Sequence, residues 1–134
     1  MNSTIEQFLS AAIEQQLAGN KEAASGLYNR VLAINPNNIT ALVNKSAILI
    51  EHQNYIDAKL LLEKAIKIAP KDVEALNNYG NVLKELGEPN NSVAQFQLAH
   101  EIKPDNSIIS SNLGRALLRR GDYKSAIQIL ESAI

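Results

Sequence analysis

The sequence predicts an all-α solenoid of stacked antiparallel helix pairs, and three observations carry that expectation. Pro36, Pro70 and Pro104 stand 34 residues apart. The residues around them repeat at the same interval, so the chain is a series of copies, and a period of this length marks a helical repeat array. Apolar residues recur at spacings of three and four, as in Leu76, Tyr79 and Leu83, while no segment sustains a two-residue alternation.

The copies run over residues 5–38, 39–72, 73–106 and 107–134, and the fourth stops before its proline would arrive. Each reads as two helices. Thr4, Asn38, Asp72 and Asn106 precede the first helix, and each has a side-chain oxygen that can accept from an unpaired backbone N–H. Thr4 with Gln7 also fits a capping box. The first helix closes at the column Gly19, Gln53, Gly87 and Gly121, where glycine tolerates a positive φ. Asn20, Asn54, Glu88 and Asp122 follow and are expected to cap the second helix. Pro89 then takes a first helical position, where its missing N–H costs little. The prolines of the long period end the second helices.

Packing columns are equally regular. Position 8 of successive copies is Ala12, Ser46, Gly80 and Gly114, and position 20 is Ala24, Ala58, Ser92 and Ala126. Small residues in two facing columns let helices approach closely. Position 24 is Tyr28, Leu62, Phe96 and Leu130, and position 27 is Val31, Ala65, Ala99 and Ala133. The large column fills the space that the small ones leave.

This pattern resembles the tetratricopeptide repeat (TPR) family over residues 5–134. The segments EALNNYGNVLKELGEPNNSVAQFQLAHEIKPDN and SNLGRALLRRGDYKSAIQILESAI carry the resemblance most clearly. It implies one TPR domain over residues 1–134, a right-handed α-solenoid of about four repeats, and a non-enzymatic role in binding proteins. Gln15, Lys45 and Ser110 depart from the family pattern and are expected to weaken packing locally. Lys45 can lay its stem on apolar surface and keep its amine in water.

Composition narrows the functional classes. The net charge is -1, which does not favour nucleic acid or an anionic membrane. Cysteine is absent, so thiolate chemistry is excluded. No signal peptide or spanning apolar run is visible, and a cytoplasmic location is expected. His52 and His100 fall in different columns, at helical spacing from no other ligand. No cofactor, metal site or catalytic constellation is expected.

The first helices of a stacked array line its concave side, and positions 2, 5, 6, 9, 12 and 13 form one stripe. Position 6 is Ser10, Asn44, Asn78 and Asn112. An amide offers donors and an acceptor, so it can satisfy both polar groups of a peptide backbone. Rungs roughly 10 Å apart would meet about every third residue of a chain rising about 3.3 Å per residue. The column is similar to the asparagine ladder in the TPR region of O-GlcNAc transferases, which implies Asn44, Asn78 and Asn112 as peptide-binding rungs. Asn77, Asn81 and Arg115 lie beside them. The same column also suits a plain solvated surface. The family's other mode, a carboxylate clamp for chaperone tails, is disfavoured because Leu9, Glu74 and Asn78 replace the cations that it needs.

The stripe changes along the chain, from Leu9, Ile13 and Leu17, through Glu51 and Glu85, to Arg115 and Arg119. An acidic stretch of a client is expected to favour the basic end. The chain stops inside its last helix with Ile127, Leu130 and Ile134, so either more protein follows or another molecule covers that end. A scaffold holding an extended peptide or partner helix is the leading expectation. The alternatives are the recognition arm of a larger enzyme such as a glycosyltransferase, and a module that self-associates through its uncapped C-terminal helix.

Overall fold

The computed structural model describes residues 2–133, with the side chain of Asn2 left aside. Within them lie eight α-helices and no strand. They are α1 (Asn2–Leu17), α2 (Lys21–Ile34), α3 (Ile39–Glu51), α4 (Tyr55–Ile68), α5 (Val73–Glu85), α6 (Pro89–Ile102), α7 (Ser107–Arg120) and α8 (Tyr123–Ser132). Contacts divide the chain into two compact units, residues 1–69 and 70–134. The first unit holds the hairpins α1–α2 and α3–α4, joined by packing of α2 on α3. The second holds α5–α6 and α7–α8, joined by packing of α6 on α7.

The starts of the first helices obey the capping expectation in three copies. Asn38, Asp72 and Asn106 each accept, through the side-chain oxygen, from the backbone N–H three residues on, at 2.9, 2.9 and 3.1 Å. The fourth case is corrected: α1 already begins at Asn2, so Thr4 lies inside its first turn. No helix-breaking residue precedes Thr4, and the helix extends past it.

The turn within each hairpin is a Schellman motif. Gly19, Gln53, Gly87 and Gly121 have φ of 87°, 60°, 78° and 91°. Their N–H groups donate three residues back, and those of Asn20, Asn54, Glu88 and Asp122 donate five residues back, at 2.8–2.9 Å. Gln53 is the non-glycine member of this column, and its left-handed backbone costs about 1–2 kcal/mol.

That double use corrects the second capping expectation. Asn20, Asn54, Glu88 and Asp122 do occupy the N-cap position, but none makes a side-chain cap hydrogen bond. Each residue's backbone closes the preceding helix, with ψ near 70° instead of the extended values at Asn38, Asp72 and Asn106. Three of the side chains bond elsewhere: Asn20 donates to Gln15, Glu88 accepts from Asn91, and Asp122 accepts from Arg120. The second helices end at Ile34, Ile68 and Ile102, two residues before each proline of the period.

The columns form the core. Ala12, Ala24, Tyr28, Val31, Ala41 and Ile48 make one buried cluster in the first unit. Val93, Phe96, Leu113, Ala116, Leu117 and Ala126 make another in the second. Gly80 is required by contact: a Cβ there would stand 2.6–2.8 Å from three ring carbons of Phe96. Gly114 meets Leu130 in the same way. Ser92 and Ser110 are buried but bonded, Ser92 donating to Gly80 O at 2.7 Å and Ser110 to Asn106 O at 3.1 Å. Among the described residues no buried side-chain polar atom lacks a partner.

Candidate functional site

In the second unit, the first-helix faces bring asparagines together. Asn77, Asn78 and Asn81 on α5 and Asn112 on α7 are all half-buried, and Arg115 on α7 is exposed. Asn112 Nδ2 donates to Asn77 Oδ1 at 3.0 Å, joining one copy to the next. One N–H of Asn112, its carbonyl, and both N–H groups of Asn77 make no side-chain hydrogen bond with another described residue. No side-chain hydrogen bond from a described residue occupies Asn78 or Asn81. Half-buried amides in this state exchange hydrogen bonds with whatever fills the space before them.

In the first unit, the matching rung is held differently. Asn44 Nδ2 donates to the Tyr28 hydroxyl at 3.1 Å, and that hydroxyl donates to Gln16 Oε1 at 2.6 Å. One chain of bonds therefore ties α3 to α2 and α1. Tyr28 is fully buried. Desolvation raises its pKa above the ordinary 10.0, and the Asn44 hydrogen bond partly opposes that rise. The next two copies hold Leu62 and Phe96 at the place of Tyr28, and neither has a hydroxyl. Asn78 and Asn112 thus lack the anchor that Asn44 has.

Other residues of the stripe separate into roles. Glu51 forms an ion pair with Lys21 of the adjacent helix, and Glu85 lies 3.8 Å from Lys84. Leu9 packs on the core of the first unit, whereas Ile13 and Leu17 are exposed. His52 is exposed at the C-cap of α3, and His100 is half-buried with Nδ1 3.3 Å from the Ser110 hydroxyl. On α8, Ile127 is exposed and Leu130 half-buried, and Ile134 lies outside the described residues. Among the described residues no group of acids and histidines could hold a metal ion. No described helix is long and apolar enough to cross a membrane.

Sequence reasoning missed the Gln16–Tyr28–Asn44 chain and the Lys21–Glu51 pair. The one available signal was that Tyr28 is the single hydroxyl in its column.

The helix pairs and their polar first-helix faces define a helical-repeat interaction scaffold. Two models of the tetratricopeptide repeat match the chain, over residues 39–72 and 72–134. The chain belongs to the tetratricopeptide repeat family, and its fold is the all-α solenoid class of that family. A Thermobaculum terrenum O-GlcNAc transferase structure is similar at 34% identity and a TM-score of 0.83, covering 87% of this chain and 22% of that one. MamA from Desulfovibrio magneticus RS-1 shares the fold at 23% identity and a TM-score of 0.86, over 96% of this chain and 73% of that one. The RNA polymerase-associated protein CTR9 of Caenorhabditis elegans is 29% identical over 114 residues, 84% of this chain. The chain spans only 10% of that relative's length.

Proposed function

We propose that the chain holds an extended peptide segment of a partner protein against its first-helix faces, with Asn78 and Asn112 as the principal rungs. The observation that carries this reading is the set of half-buried amides on α5 and α7, linked at Asn112–Asn77 and otherwise open to a ligand. Such amides bond to main-chain N–H and C=O groups whatever the client's side chains, which suits a scaffold with several clients. Asn77 and Asn81 flank the rungs, and Arg115 adds a cation beside them. Asn44 belongs to the same column by the 34-residue period and contributes the donor and acceptor that Tyr28 leaves unused.

The test is the double substitution Asn78→Ala with Asn112→Ala. Helicity and melting temperature stay nearly unchanged, because both residues are only half-buried. Affinity for peptides selected on the wild-type chain falls about tenfold or more, at about 1 kcal/mol per lost hydrogen bond. Unchanged affinity overturns the reading.

A second reading is favoured by the 34% identity to an O-GlcNAc transferase. In it the same faces capture substrate for a glycosyltransferase active site elsewhere in the protein. Glycosyl transfer by the full-length gene product, lowered by the same double substitution, supports it. Absence of transfer removes it.

A further inference from the structure

The second unit holds a cleft of about 270 Å³ lined by Lys84, Gly87, Pro89, Ser92, Ala116 and Arg119. Its floor and walls are mostly apolar. Ala116 is buried, Gly87 and Pro89 offer carbon and backbone, and the stems of Lys84 and Arg119 complete the rim. Ser92 spends its hydroxyl on Gly80 O, so it is not the group that would greet a ligand. That leaves two cations as the polar character of the cleft.

Neither cation is well matched from within. Arg119 has no carboxylate partner among the described residues, although its neighbour Arg120 is paired with Asp122. Lys84 has only Glu85, at 3.8 Å, near the outer limit for an ion pair. Both cations belong to the first-helix stripe. Arg119 lies one turn beyond Arg115, and Lys84 one turn beyond Asn81, so the cleft continues the amide face of α5 and α7.

We propose that this cleft docks a glutamate side chain of an acidic partner segment. The carboxylate sits between Lys84 and Arg119, and the two methylenes lie on Pro89 and Ala116. Charge complementarity selects an anion. The apolar walls select one with a short apolar stem, which disfavours a bare inorganic anion and leaves aspartate a methylene short. The inference rests on the preceding reading, because it fixes where a client on the amide face places its acid.

The experiment uses a random twelve-residue peptide display library panned on the full chain. Selected peptides are expected to be enriched in glutamate, and their binding is expected to weaken with added salt. Replacing that glutamate by glutamine, or making Lys84→Gln with Arg119→Gln, is expected to lower affinity about tenfold. With Lys84 kept, Arg119→Lys is expected to retain most of the affinity that Arg119→Gln loses, which a merely structural role would not do. Circular dichroism and melting temperature check that each variant is folded. A selection without glutamate enrichment, or one whose peptides bind the double variant as well as wild type, overturns the inference. If those peptides still lose affinity for Asn78→Ala with Asn112→Ala, the amide face stands and the cleft alone fails. If they lose affinity for neither variant, both readings fail.

Discussion

Gly80 and Phe96 should be coupled in stability more strongly than any exposed pair. A methyl group added at Gly80 would lie 2.6, 2.7 and 2.8 Å from three ring carbons of Phe96. Ordinary contacts begin near 3.4 Å, so the ring or the helix must move by roughly 0.6–0.8 Å. Phe96 is 1% exposed and has no open side to move into. Overpacking of this kind costs about 1–3 kcal/mol. Exchanging a helical glycine for alanine returns about 1 kcal/mol. Gly80→Ala is therefore expected to be destabilising by about 1 kcal/mol in the wild-type background.

The balance reverses when the ring is gone. In a Phe96→Ala background, which removes all three ring carbons that the methyl would strike, Gly80→Ala should therefore stabilise by about 1 kcal/mol. The coupling energy is then about 1–3 kcal/mol, read from urea unfolding followed by circular dichroism on the four proteins of the cycle. A coupling within about 0.5 kcal/mol of zero would refute the reasoning, because independent sites add to that tolerance.

Other perturbations follow from the same structure. Removing the caps Asn38, Asp72 or Asn106 by alanine is expected to cost about 1 kcal/mol each, whereas Asn54→Ala, which removes no cap bond, should leave the urea midpoint unchanged. Equal losses at Asn38 and Asn54 would contradict the assignment of caps. Tyr28→Phe should cost about 1 kcal/mol, since it leaves Gln16 and the Asn44 donor without their shared partner. The raised pKa of Tyr28 sets the sign of a pH effect: its contribution is complete below the unfolded value near 10.0 and is lost as pH rises through the higher folded value. Unfolding at alkaline pH should show that loss in wild type and not in Tyr28→Phe.

How far the sequence disclosed this molecule depends on the range of the interaction concerned. Local backbone features were readable, because a positive φ at Gly19, Gly87 and Gly121, or a cap at Asp72, needs only neighbours in sequence. The small column was readable because the period aligns Gly80 with Ala12 and Ser46. The double role of Asn54 was not readable. Its side chain suits a cap, yet the Schellman turn fixes its backbone where that side chain cannot serve. The start of α1 was missed for want of any breaker before Thr4.

The candidate site was legible as a column and illegible as a set of bonds. The period could place Asn44, Asn78 and Asn112 at equivalent positions. It could not show that Tyr28 engages Asn44 or that Asn112 reaches Asn77, because both bonds cross between helices at distances set by packing. Ser110 illustrates the same limit. A polar residue in an apolar column looked like a defect, and the structure buries it with its hydroxyl bonded to Asn106 and beside His100.

The most direct measurement is the movement of asparagine side-chain amide signals in the NMR spectrum as a selected peptide is added. The signals of Asn78 and Asn112 are expected to shift most. Asn44, restrained by Tyr28, should shift less, and the amides of Asn90 and Asn91 on α6 should stay still. Shifts confined to α6, with Asn78 and Asn112 unmoved, would contradict the claim that the first-helix faces receive the client.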